Sequence, residues 1–180
     1  MADVIAHDAG HRPPPHRRSH DAPDDTTPDF LLIELLFFAY RDFVRGPDAI
    51  LSSYSFGRAH HRVLHFVNRH PGLKVTELLD ILKITKQSLG RVLRELVDQG
   101  FIESRAGTLD RRQRLLHATE KGAALALELA DLQTRRIAEA VAATGENGRD
   151  AAARFLSGMI DDGERDAVLR RITGGNGSGA

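Results

Sequence analysis

The sequence predicts a mainly α fold with a small β-hairpin, and three observations lead there. Apolar residues recur at three- and four-residue spacing over most of residues 30–172, as on the buried stripes of helices. Gly and Pro punctuate that pattern at Gly46-Pro47, Pro71-Gly72, Gly100 and Gly145–Gly148, as they do where helices end. Only the stretch 101–118 departs from it, as two short strand-like runs around a polar loop.

Residues 1–29 carry Pro13-Pro14-Pro15, scattered histidines (His7, His11, His16, His20) and Asp21, Asp24 and Asp25, so they read as a disordered His/Pro-rich tail. Four histidines can hold a transition metal loosely, but a solvated tail is the expectation. Asp29 is an N-cap candidate for a helix over Phe30–Val44 that is apolar on nearly all sides. A helix apolar all round must be buried all round, and in so small a protein that calls for a partner subunit. Gly46-Pro47 is expected to end or kink it, and residues 48–56 to form a short apolar connection containing Tyr54 and Phe56. A helix over Arg58–Asn68 turns Ala59, Val63, Leu64 and Val67 inward before His70-Pro71-Gly72 stops it.

Two helices follow in quick succession. The first spans Thr76–Leu82, Lys83-Ile84 is a tight connection, and Thr85 caps a second that runs to Gln99 with Gly100 at its C′ position. Residues 101–105 and 113–118 form the hairpin, with Gly107 and Asp110 in its long tip. Thr119 caps a helix to about Thr144, and one last helix covers Arg149–Ile172. The glycine-rich end, 173–180, is expected to be flexible.

The chain has 180 residues, 41% of them hydrophobic, and no Cys. Disulfides, thiolate metal sites, Cys nucleophiles and thiol redox sensing are excluded. No run of about 18 apolar residues suggests a membrane span, and no secretory h-region is evident, so a cytoplasmic protein is expected. No P-loop, Gly-x-Ser-x-Gly, Rossmann glycine pattern or His-Glu-x-x-His is found, so no enzyme, catalytic residue or cofactor is expected.

Formal net charge is zero, but residues 58–121 carry +6 between acidic flanks. A basic block of this kind is a footprint of a polyanion-binding segment. Helix, tight turn, helix and basic hairpin together make a winged helix-turn-helix, and the second helix of such a pair fits the major groove of double-stranded DNA. With Leu89, Val92, Leu93 and Leu96 inward, Lys86, Gln87, Ser88, Gly90, Arg91 and Arg94 lie on the other faces. Gln and Arg suit bidentate contacts with adenine and guanine. Thr85 and the amides of the first turn can hold a phosphate. Arg105, Arg111 and Arg112 suit a narrow, strongly negative minor groove, and Asp110 is placed to brace Arg112. Gly90 admits two explanations, close backbone approach to DNA or tolerated drift at an exposed position.

From His61 to Gly122 the chain resembles the MarR family of bacterial transcriptional regulators. The residues that carry the resemblance are Arg62-Val63-Leu64, His70-Pro71-Gly72, Val75-Thr76-Glu77-Leu78, Ile84–Ser88, Arg91–Leu96, Gly100-Phe101-Ile102, Asp110–Arg114 and Thr119–Gly122. The helical flanks extend it over roughly residues 30–172. The resemblance implies a winged helix-turn-helix plus helical dimerisation domain: residues 30–57 and 119–172 would interleave between two protomers, and 58–118 would bind DNA. It implies a homodimer on a pseudo-palindrome with half-sites roughly 34–36 Å apart. The recognition role falls on Thr85, Gln87, Ser88 and Arg91, and the wing role on Asp110 and Arg112. Gly90 departs from the Ser, Thr or Ala frequent in the family.

The resemblance also implies a repressor that responds to a small-molecule effector, often phenolic or lipophilic, in a cleft beside the dimer helices. Tyr40, Tyr54, His61 and His65 are the candidates to line it, while Phe37 and Phe56 are expected in the core. His61 and His65 are one helical turn apart, a spacing that can bind a metal. His60 points elsewhere and His117 lies at the wing base, so no third ligand is evident and no metal site is expected. The alternative is a winged-helix protein-interaction module without a DNA role, which would present an apolar patch instead of a basic wing.

Overall fold

The computed structural model describes residues 27–107 and 113–174. Most of the N-terminal tail, the last six residues, and Asp110, Arg111 and Arg112 lie outside the described residues. The chain divides between Phe37 and Phe38 into two compact units.

Helix α1 covers Phe30–Ser52. The Asp29 carboxylate accepts the Leu32 N–H at 3.0 Å and so caps its first turn. Of the two outcomes expected at Gly46-Pro47, an end or a kink, the first does not occur: the helix does not end there. Pro47 lies inside the helix and is buried. A proline ring clashes with the Cβ of the residue before it, and Gly46 has none. The turn at 53–55 then brings Phe56 into the core, with its N–H on the Leu51 carbonyl at 3.0 Å.

Helix α2 spans Arg58–Arg69. Its buried stripe is His60, Val63, Leu64 and Val67, so His60 takes the inward place expected of Ala59, which is exposed. A two-residue strand β1, Leu73–Lys74, comes next. The hairpin expectation lacked it, since two residues are too few to show alternation. Helix α3, Val75–Leu82, ends at Lys83 in the left-handed region, φ 50°. Helix α4, Lys86–Asp98, starts on the Thr85 hydroxyl, which accepts the Ser88 N–H at 3.1 Å. It ends with Phe101 N–H on the Leu96 carbonyl and Gly100 N–H on the Val97 carbonyl, a Schellman motif around Gly100 at φ 74°.

Strands β2 (Ile102–Ala106) and β3 (Arg114–Ala118) pair antiparallel, and β1 adds to the other side of β3, in the order β1-β3-β2. Leu73 faces Leu116 in the β1 register, and Ser104 faces the same Leu116 in the β2 register. Helix α5, Glu120–Ala142, is capped by the Thr119 hydroxyl on Gly122 N–H at 3.0 Å. The expected single last helix is two: α6, Gly148–Gly158, and α7, Asp162–Gly174. The Arg165 guanidinium donates to the carbonyls of Ser157 and Ile160, each at 2.9 Å, so the break is satisfied by a side chain from the following helix.

One apolar core joins α2, α3, α4, the sheet and the first half of α5, through residues such as Leu64, Leu78, Leu96, Phe101, Leu116 and Leu129. Phe30, Leu31, Leu32, Ile33, Leu35, Leu36, Phe37 and Phe38 of α1, with Phe155, Leu156 and Met159 near the end of α6, are exposed in the single chain. No described helix is long and apolar enough to cross a membrane.

Candidate nucleic-acid interface

Helix α4 has two chemically distinct sides. Leu89, Val92 and Leu96 are buried, and Leu93 packs against them. Thr85, Lys86, Gln87, Ser88, Arg91 and Arg94, all singled out from the sequence, are exposed. The Thr85 hydroxyl donates to Ser88 Oγ at 2.9 Å, so cap and first turn are tied together. Gly90 is exposed, and a Cβ there would meet nothing within 4 Å. The described residues therefore give no steric reason for a glycine.

The base of the wing is anchored through main-chain oxygens. Thr119 Oγ1 donates to the Gly100 carbonyl at 2.7 Å, and Lys121 Nζ to the Gln99 carbonyl at 2.9 Å. Lys121 also stands 4.1 Å over the Phe101 ring, a cation–π contact. On β2, Arg105 is exposed and its guanidinium pairs with Glu103. Asp110, Arg111 and Arg112 belong to the tip outside the described residues.

Three of the four candidate effector residues come together. Tyr40, His61 and His65 line a cavity of about 260 Å³ with Phe43, Arg58 and Gln133. Arg58 lies 5.6 Å over the Tyr40 ring and donates to Asp48 at 3.0 Å. Tyr54 goes to the core instead, stacked on Phe56 at 5.9 Å and edge-on to Phe101 at 5.2 Å. A larger cavity, about 690 Å³, lies between α2, α3, α5 and α7 and shares His65. Burial lowers the proton affinity of His61, His65 and His70 below the ordinary imidazole range. For His65 the neighbouring His61, Arg69 and His70 add to it, and for His61 the Asp48 carboxylate opposes it. Among the described residues no group of three His, Cys, Asp or Glu is placed to hold a metal.

Two polar links escaped the sequence reading. Arg62 Nη2 donates to the Leu82 carbonyl at 2.8 Å, tying α2 to the end of α3. Buried His60 meets Glu95 of α4 at 2.6 Å. The signal for His60 was available, because 60, 63, 64 and 67 form a helical stripe.

A helix with an exposed polar face, capped at its start and flanked by an anchored β-wing, defines a winged helix-turn-helix protein. The comparisons with known proteins agree. A sequence model of the MarR family matches residues 54–113. The HTH-type transcriptional regulator PetP of Rhodobacter capsulatus is 50% identical over 133 residues, 74% of this chain and 80% of that protein. A crystal structure of MarR superposes with TM-score 0.59 at 23% identity, over 82% of this chain and 96% of that one. Streptococcus pneumoniae FabT, solved in complex with DNA, gives TM-score 0.64 at 16% identity, over 72% and 92%. The chain belongs to the MarR family of DNA-binding transcriptional regulators.

Proposed function

We propose that this regulator is a cytoplasmic, ligand-responsive repressor that binds a pseudo-palindromic operator as a homodimer. The outward face of α4 is the observation that carries the reading. Gln87, Ser88, Arg91 and Arg94 are exposed on a helix whose other side is buried in the core, so the helix can enter a major groove without disturbing its own packing. Lys86 and the capped first turn serve phosphates, and Arg105, Arg111 and Arg112, with Asp110 as brace, serve the flanking minor groove. Residues 58–118 are the reading domain, and 30–57 with 119–172 the dimerisation domain. The exposed apolar side chains of α1 and α6 supply surface for a second protomer.

The cavity lined by Tyr40, His61 and His65 is the effector site in this reading. An effector acts only through unequal affinity for the DNA-competent and DNA-incompetent states. Footprinting the purified chain on the DNA upstream of its own gene tests the proposal. The expected result is a twofold-symmetric protected region that disappears as salt rises; absence of any protection at moderate salt would overturn it.

A further inference from the structure

We propose that His60 is a positioning residue for DNA reading: its bond to Glu95 fixes the register of α4 against the body of the domain. The proposal rests on α4 being the reading helix.

His60 is the one charged or polar residue in the buried set of the described residues. Its ring is held on three sides. It stacks on Phe56 at 4.5 Å with planes 10° apart, and Phe56 in turn sits edge-on to Phe101 at 5.3 Å. Nδ1 accepts the Gly57 N–H at 3.1 Å. With Nδ1 an acceptor, the neutral ring carries its hydrogen on Nε2, and Nε2 donates to Glu95 Oε2 at 2.6 Å. A ring so held has one direction in which to donate, and α4 supplies the acceptor.

Among the described residues, α4 packs on the core through the apolar Leu89, Val92, Leu93 and Leu96. Apolar packing is non-directional, so it offers no single donor–acceptor line that marks one rotation of the helix. A charge-assisted hydrogen bond is short and directional. Glu95 is adjacent to Arg94 and one turn beyond Arg91, so a rotation of α4 that breaks the bond also swings these two guanidinium groups off their base edges. Base readout tolerates little error of this kind, whereas phosphate contacts made by flexible cations tolerate more.

The test is the ratio of affinities for a selected duplex and for a scrambled duplex of equal length, at fixed salt. The duplex is enriched by the wild-type chain from a random library. His60→Phe keeps a flat ring against Phe56 and loses both hydrogen bonds. Glu95→Leu removes the acceptor from a side chain that is 42% exposed, so it carries the test even where His60→Phe fails to fold. Each is expected to lower the ratio about tenfold, the scale of one misread base pair; in His60→Phe the scrambled-duplex affinity and salt slope stay unchanged, and for Glu95→Leu the equally charged Glu95→Gln is the reference. Glu95→Gln keeps an acceptor oxygen at the same net charge as Glu95→Leu, so it is expected to lose less than Glu95→Leu while falling short of the wild type, which keeps the charge. An unchanged ratio in His60→Phe or Glu95→Leu overturns the proposal, as does a parallel fall of both affinities with the melting temperature, the mark of a merely structural role. Loss in Glu95→Gln equal to that in Glu95→Leu overturns it too. If the wild-type chain enriches no motif, base reading itself fails, an outcome distinct from a motif retained by the variants.

Discussion

A Cβ built on Gly122 would lie 1.9 Å from the Phe101 carbonyl oxygen, whereas one built on Gly90 would meet nothing. Gly122→Ala must therefore push α5 off the strand-leading residue Phe101, and a loss of roughly 1–3 kcal/mol is expected, on the scale of an overpacked core; thermal unfolding measures it. Gly90→Ala removes a helix-interior glycine at a cost of about 1 kcal/mol to the wild type, so its melting temperature should rise by roughly 2–4 °C. If its DNA affinity falls despite that gain, close approach to the duplex explains the glycine. Arg91→Ala should lose about 1–3 kcal/mol on the preferred sequence and relax base preference, whereas Arg112→Ala should weaken all duplexes evenly and lower the salt slope by about one. Quantitative gel shifts over a salt series separate the two. At this scale the sequence showed which residues were unusual but seldom why. Gly90 stood out as a departure, and only a built Cβ shows that the fold does not require it. The buried place of His60 was missed because a hydropathy pattern counts imidazole as polar and puts Ala59 inside.

Elements were legible where caps and apolar period agreed. Thr85, Gly100 and Thr119 mark helix ends as the sequence suggested, because a hydroxyl or a left-handed glycine answers a local need of the backbone. Thr85→Ala should cost about 1 kcal/mol through the lost Ser88 N–H bond, checked by denaturant unfolding. Elements were misjudged where tertiary context decides. The Gly46-Pro47 pair stays in α1 because the ring finds burial and no preceding Cβ. The break between α6 and α7 depends on Arg165 reaching back to α6 carbonyls, and no local motif announces that. Helix α2 carries a pH dependence. His61 and His65, with His70 just after the helix, have proton affinities lowered by burial. The unfolded chain then binds more protons over this range, so stability is fullest above the unfolded imidazole pKa and is lost as pH falls through the lowered folded values. The melting temperature should fall between about pH 7 and pH 5. A His61→Gln, His65→Gln double variant should flatten that fall.

On the scale of the molecule, the apolar residues of α1 are exposed in the single chain, which is the surface a second protomer would cover in the proposed dimer. A stable protein pair buries about 1,200–2,000 Å² in all. Leu36→Asp with Phe37→Asp is expected to convert a pair to single subunits in sedimentation and to remove tight operator binding; unchanged sedimentation would place the interface elsewhere. The charge distribution was likewise legible only by segment, since a total of zero hides the +6 block over 58–121. One feature of α5 bears on how such a molecule can be switched. Its 23 residues make a rod roughly 34 Å long, and its foot is joined to the wing by the Gly122–Phe101 contact and by the Thr119 and Lys121 bonds. Foot and wing must swing together, so tilting the rod by about 5° about its far end carries the wing through about 3 Å. That is close to the 3.4 Å rise of one base-pair step. A small displacement at the distant end would thus be magnified into a mismatch with the groove.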